Sequence, residues 1–280
     1  MARRAEKSWL LSRLHGERGA PWASDPESLD PEALAHTITQ FRRLYGPGRY
    51  FRLSIDGLER VPPAPTLVVS NHSGGTTIPD VYGFLLSWYE RFGVQRPLHL
   101  MAHEVVVGFE GLGRWFAARG GLRAGHDTAR SVLRDHRRDL MVMPGGDLDT
   151  WRPYKDRYRI RFGGHVGYAR IALEHDVPVV PVVNAGAHES LMVLTDGHRF
   201  ARAIGLHRLV RADVWPIHLS LPWGVCVGPW PHIPLPVRIR YRVGEPLVPS
   251  EVTRGVADPV RTLDEAVRES MQGMLDSLRR

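Results

Sequence analysis

Three nearly unbroken apolar runs, Thr66-Leu67-Val68-Val69, Leu140-Met141-Val142-Met143 and Val177-Pro178-Val179-Val180-Pro181-Val182-Val183, are separated by segments with helical spacing of their apolar residues. Such runs read as buried strands, and their alternation with helices predicts an α/β fold: a central mostly parallel or mixed β-sheet flanked by helices. A chain of 280 residues can bury one substantial core, and no proline-rich or low-complexity break divides it. A single domain over residues 31–280 is expected, preceded by a mobile or membrane-associated tail over 1–30. Pro178 and Pro181 should push the third run toward a sheet edge or toward strand ends, because proline cannot donate to the ladder.

The remaining elements are marked by local signals. Asp30-Pro31-Glu32 reads as a cap, a first-turn proline and a helix former, predicting a helix to about Tyr45, and Asp258-Pro259 opens a last helix in the same way. Residues 50–56, 98–102 and 237–243 read as strands, and 80–91, 108–119, 127–137 and 166–175 as helices, with Phe109, Leu112 and Phe116 on one face of the second. Val214 to Pro236 holds Trp215, Trp223, Trp230 and six prolines, which disfavours regular structure. Its indoles either pack beneath the sheet or sit at a membrane interface.

A formal charge of +7 makes an acidic partner plausible: anionic headgroups, nucleic acid, or a phosphorylated carrier such as coenzyme A. No basic run carries interleaved aromatics in a reading module, so nucleic acid is not expected. The single cysteine, Cys226, excludes an internal disulfide and a cysteine-based metal cluster and fits a reducing cytosol. His99 and His103 are spaced as in zinc peptidases, but Glu104 is misplaced for that motif and no third ligand is signalled, so no metal is expected. Trp9-Leu10-Leu11 is too short for a signal peptide's apolar core, and no run is long enough to span a bilayer. Surface attachment stays open, with Trp9-Leu10-Leu11 and Leu14 as a second weak anchor.

The first run delivers the chain into Asn71-His72-Ser73-Gly74-Gly75, and Asp80 follows the histidine by eight residues at the start of a helix. An imidazole at a strand end, backed by a carboxylate, can take a proton from a hydroxyl near neutral pH. The second run opens into Pro144-Gly145-Gly146-Asp147-Leu148-Asp149, in which the two aspartates read as turn formers. Beyond it, Arg157, Arg159 and Arg161 alternate with Tyr158, Ile160 and Phe162, which puts three guanidiniums on one side of an extended segment.

In this order, Asn71-His72-Ser73-Gly74-Gly75 and Pro144-Gly145-Gly146 resemble the lysophospholipid (glycerolipid) acyltransferase superfamily, in particular its bacterial and diacylglycerol-acyltransferase-like branch. Asp56-Gly57-Leu58-Glu59, Val177 to Val182 and Gly244-Glu245-Pro246 extend the resemblance over roughly residues 54–250. It implies transfer of a fatty acyl group from acyl-CoA or acyl carrier protein to a lipid hydroxyl, with no metal, no separate cofactor and no covalent acyl-enzyme. By the resemblance His72 is the base, Asp80 its orienting carboxylate, and Gly74 and Gly75 the oxyanion turn. Pro144, Gly145 and Gly146 would line the substrate site. The chain departs from the common pattern in three places. Thr77 stands where the aspartate usually falls, so the glycine turn must fold Asp80 back. His126 replaces the usual arginine of the second motif, leaving Arg123 as the nearest guanidinium. Gly145 replaces the glutamate of the third. A phosphate on the acceptor would be held by Arg152, Lys155 or the 157–161 row; a neutral acceptor suits the missing glutamate equally well. The expected location is the cytoplasm, peripheral to the inner face of the cell membrane. A lipid or thioester hydrolase using the same dyad, and a non-catalytic lipid-binding module on the same scaffold, are the competing readings.

Overall fold

The computed structural model describes residues 21–102, 104–107, 110–198, 201 and 214–279. Ten strands form two sheets. The larger has seven strands in the order β1 (Arg52–Asp56), β10 (Arg238–Val243), β6 (Val179–Ala185), β2 (Leu67–Ser70), β5 (Asp139–Val142), β3 (Leu98–Ala102) and β4 (Gly121–Arg123). All neighbours are parallel except β10 and β6, so the sheet is mixed but mostly parallel. The smaller is an antiparallel set of β7 (Met192–Thr195), β8 (Ile217–Ser220) and β9 (Gly224–Val227).

The apolar strands are covered on both faces, as their composition requires. Alternate residues point to opposite sides. Val68, Met141, Val180 and Ile239 pack on one face beneath α1 (Pro31–Phe41) and α2 (Pro79–Phe92), with Val81, Phe84 and Trp88 of α2 buried against them. Leu67, Val69, Leu140, Val142 and Val179 pack on the other beneath α5 (His126–Arg130), α7 (Gly167–His175) and α9 (Pro259–Ser277). From α9 come Leu263, Val267, Met271 and Leu275, one stripe at helical spacing. Among the described residues four short helices complete the set: α3 (Glu104–Val107) and α4 (Glu110–Ala117) lead into β4, α6 (Gly146–Thr150) follows β5, and α8 (Pro249–Val252) precedes α9.

The cap signals operate as written. Asp30 Oδ1 accepts from the N–H groups of Glu32 (2.9 Å) and Ala33 (3.2 Å), and Asp258 Oδ1 accepts from Arg261 N–H at 3.0 Å. Other expectations are corrected. Residues 21–30, expected in a mobile tail, pack on the domain: Asp30 N–H donates to the Ala118 carbonyl, Arg138 donates to Pro26 and Glu27, and Ala23 is buried. Residues 1–20, including the Trp9 group, lie outside the described residues. Of the helix expected over 108–119 the structure shows Glu110–Ala117 as α4; Phe109 lies outside the described residues and Leu112 is exposed. The one expected over 127–137 passes into a wider π-type turn at Ser131–Asp135.

Two corrections concern proline. β6 lies inside the sheet, not at an edge. Pro181 is tolerated there because its carbonyl accepts from Gly244 N–H beyond the last residue of β10, so the missing donor faces the point where that ladder ends. The segment 214–236 is not irregular throughout, since its prolines flank β8 and β9 and leave both strands free to pair.

Asp139 shows how the sheet's buried charge is held. Fully buried at the start of β5, it accepts from the Thr66 N–H (2.9 Å) and hydroxyl (2.7 Å) and from Arg96 Nε (2.7 Å). Asp139→Ala strands the Arg96 guanidinium and two donors, and is expected to lower unfolding free energy by about 3 kcal/mol, measured by urea titration.

Candidate active site

The carboxyl ends of the parallel strands β2, β5 and β6 lie side by side, and open α/β sheets present their ligand crevices at such ends. From β2 issues Asn71-His72-Ser73-Gly74-Gly75, from β5 Met143-Pro144-Gly145-Gly146, and near the end of β6 stands Asn184.

The fold-back that the eight-residue spacing demands is made by three consecutive departures into left-handed backbone. Gly74 (φ +96°) and Gly75 (φ +67°) turn the chain, a 3₁₀ turn spans Gly75–Thr77, and Ile78 (φ +39°) delivers Pro79 as the first residue of α2. A Cβ on Gly74 would lie 2.6 Å from Pro79 Cδ, and one on Gly75 2.7 Å from Leu191 Cδ2, so only glycine fits either place. Asp80 thereby enters the first turn of α2, 2 % exposed, where the helix dipole favours its charge. Its Oδ2 lies 2.9 Å from His72 Nδ1 and accepts from Ser73 N–H at 2.8 Å, with Asn184 Nδ2 at 3.4 Å. Thr77 instead donates its hydroxyl to the Gly74 carbonyl.

His72 keeps 12 % of its side chain accessible. Its Nε2 makes no hydrogen bond among the described residues. Burial alone would lower its pKa; the charge and hydrogen bond of Asp80, aided by Asp149 and Asp147, outweigh it and raise the imidazole above the ordinary histidine value.

The supporting roles of four residues escaped the sequence reading. Asn71 and Asn184 exchange hydrogen bonds across the β2–β6 seam: Asn184 N–H to Asn71 Oδ1 (2.8 Å), Asn71 Nδ2 to the Asn184 carbonyl (3.0 Å) and Asn184 Nδ2 to the Asn71 carbonyl (3.0 Å). Asn184 Oδ1 also accepts from the Ser73 hydroxyl at 2.8 Å. Tyr241 of β10 donates its hydroxyl to the Asp80 carbonyl at 2.7 Å. Asp149, read as a turn former, is fully buried and accepts the His72 backbone N–H at 2.6 Å. The available signal was a polar residue closing an otherwise apolar strand, as at Asn71 and Asn184.

Asp149 also redirects Arg152, the expected phosphate ligand. Arg152 is 0 % exposed and donates to Asp149 Oδ1 and to the Arg159 carbonyl. Burial raises the Asp149 pKa, and burial lowers that of Arg152, each opposed by the partner's charge. A carboxylate buried beside the histidine needs a counter-charge, and Arg152 supplies it. The row at 157–161 is likewise not an extended face: the chain turns there, Arg157 lies over the Tyr154 ring, and Arg159 and Arg161 both reach Asp156. Lys155 is exposed in the turn Tyr154–Asp156.

Arg123 ends the edge strand β4, three strands from β2, roughly 14 Å at the usual strand spacing. Pro144, Gly145 and Gly146 form the turn into α6, where a Cβ on Gly145 would lie 2.4 Å from Asp149 Cβ. His99 lies buried in β3 and its pKa falls to about 4, chiefly through burial; His103 lies outside the described residues. Among the described residues no group of three or more His, Cys, Asp or Glu is placed to hold a metal ion.

The family model described as Acyltransferase matches residues 52–185, the stretch from β1 to the end of β6. An uncharacterized protein of Mycobacterium tuberculosis is 29 % identical over 283 residues, covering 97 % of this chain and 72 % of that one. A Gallus gallus protein named DGAT1/2-independent enzyme synthesizing storage lipids is 24 % identical over 204 residues, covering 72 % of this chain and 54 % of that one. The crystal structure of the 1-acyl-sn-glycerophosphate acyltransferase PlsC from Thermotoga maritima superposes with a TM-score of 0.51 at 18 % identity, over 98 % of this chain and 88 % of that one, and so shares the fold. With its histidine and glycine turns in order on this sheet, the chain carries over residues 52–185 a match to the Acyltransferase family model and shares the fold of a known acyltransferase.

Proposed function

We propose that the protein transfers a fatty acyl group from a thioester carrier, acyl-CoA or acyl carrier protein, to a hydroxyl of a glycerolipid or other lipid alcohol. The observation that carries this reading is the 2.9 Å contact between His72 Nδ1 and Asp80, which leaves Nε2 as the free base. The acceptor oxygen attacks the thioester carbonyl as its proton passes to Nε2. Asp80 holds the Nδ1–H tautomer and stabilises the imidazolium. The backbone N–H groups of Gly74 and Gly75 receive the oxyanion. Collapse of the tetrahedral intermediate breaks the C–S bond, and the proton on Nε2 passes to the departing thiolate, leaving ester and free thiol.

Commitment of Arg152 to Asp149 removes one phosphate ligand and favours an acceptor without a phosphate, such as a mono- or diacylglycerol. The storage-lipid enzyme among the relatives supports the same choice. Arg123, Lys155 and the Pro144–Gly146 turn are the acceptor-side groups in this reading. The enzyme works at the cytoplasmic face of a membrane, which its basic charge supports; among the described residues no helix is long and apolar enough to cross one.

The test is incubation with long-chain acyl-CoA and acyl carrier protein against a panel of monoacylglycerol, diacylglycerol, long-chain alcohol and lysophosphatidate, with mass spectrometry of the products. Acylated neutral acceptor is expected. Lysophosphatidate as the sole acceptor overturns the acceptor assignment, and free fatty acid released without any acceptor overturns transfer in favour of hydrolysis.

A further inference from the structure

The smaller sheet has its two faces the wrong way round for a protein surrounded by water. Its inner face is partly polar: His218, Ser220 and Cys226 are buried with Val193, and His218 Nε2 lies 3.1 Å from the Gly228 carbonyl. Its outer face is apolar. Met192, Leu219 and Val225 are cross-strand partners in one row, Val227 pairs with Ile217 in the next, and Met192, Leu194, Leu219, Val225 and Val227 are all exposed. An antiparallel sheet that shows one face to water normally alternates apolar inward and polar outward. The β8–β9 turn adds exposed Leu221 and Trp223, and the segment after β9 adds exposed Trp230, Ile233 and Leu235. Continuous apolar surface of this kind marks an interaction site.

Charge decides what it meets. From Val214 to Gly244 the sequence contains no Asp or Glu, and β7 has none. The rim carries more basic than acidic charge: Tyr50 donates its hydroxyl to the Pro234 carbonyl at 2.6 Å, which ties the exposed Arg49 and Arg52 to the edge of the patch, and exposed Arg238 follows it in sequence, against Glu189 and Asp196 on either side of β7. A second copy of this chain would set basic rim against basic rim. An anionic bilayer satisfies both features at once, taking the apolar side chains among its acyl chains and the guanidiniums at its phosphates. Trp223 and Trp230, about half exposed, have the amphipathic rings that settle at such a boundary.

The patch is also joined to the catalytic turn. Trp230 stacks on His232 with ring centroids 5.1 Å apart, His232 Nε2 lies 3.4 Å from Thr76 Oγ1, and Leu191, just before β7, packs against Gly75. We infer that the outer face of β7–β8–β9, with Trp223 and Trp230, docks the protein on an anionic lipid bilayer and brings the His72 turn to the surface from which a lipid acceptor comes. The inference rests on the acyltransferase reading for its purpose, not for its geometry.

The experiment is sedimentation of the full chain with phosphatidylcholine vesicles and with vesicles carrying about a third phosphatidylglycerol. Binding to the anionic vesicles is expected, with a blue shift of tryptophan emission and quenching by brominated acyl chains. V225E/V227E alters two exposed side chains and is expected to weaken that binding by at least about tenfold. Arg49→Ala should weaken it about fivefold on anionic vesicles only. Turnover of a detergent-dispersed substrate should stay at the parent level in both variants. Undiminished vesicle binding by V225E/V227E overturns the inference. So does a parent dimer, by light scattering, that the same substitutions dissolve, since the face would then belong to a second copy. Loss of vesicle binding in V225E/V227E, in a protein that acylates no acceptor, upholds the docking face while refuting the enzymatic reading.

Discussion

His72→Ala is expected to reduce acyl transfer by about 10²–10⁴-fold, the range for losing a positioned general base. The fold should persist, because the structural bonds of this turn are made by other groups. The backbone N–H of residue 72 still reaches Asp149, and Asp80 still accepts from Ser73 and Asn184. The measurement is single-turnover acylation with saturating donor, beside a urea unfolding curve. A folded variant with the parent rate ends the general-base mechanism. A variant equally impaired in rate but grossly destabilised moves the test to His72→Gln, which keeps much of the volume without the base.

Asp80→Asn should cost a comparable factor by a separate route. An amide here can donate to Nδ1, which selects the Nε2–H tautomer and leaves no lone pair to take the acceptor's proton. The pH profile distinguishes this from structural damage. The base must be neutral, so kcat/KM of the parent rises with pH through a pKa above the ordinary histidine value, as the Asp80 carboxylate dictates. Removing that carboxylate removes the largest influence opposing burial, so the acidic limb should move to lower pH while the plateau falls. A fallen plateau with an unmoved limb refutes the pairing of Asp80 with the base.

What could be read from the chain beforehand follows the range of the forces involved. The caps at Asp30 and Asp258 act within three residues, and the apolar runs at 66–69, 140–143 and 177–183 must be buried wherever they lie, so both were legible. His72 and Asp80 were legible as a pair because glycine is the residue that permits the intervening reversal. Asp149 was not, since its burial depends on a contact 77 residues away in sequence, and in isolation Asp147 and Asp149 look alike. Arg152 was misread for a different reason: its partner Asp149 lies only three residues back, but both are sealed from water by packing that no local pattern encodes. The strands β8 and β9 were hidden by flanking prolines, and β4, with three residues, is too short to carry a period.

The bond from the His72 backbone to Asp149 has a wider consequence. It tethers the first motif to the third, so a push on residues 144–149 is delivered to the imidazole without any side chain of that turn meeting the reacting atoms. Gly145 has no room for a methyl beside Asp149, so a side chain there would press on that lever. A mutational scan read by activity alone would therefore merge two parts of Gly145, the pressure it puts on this lever and its place on the acceptor side, and only the ring's own titration would tell the two apart.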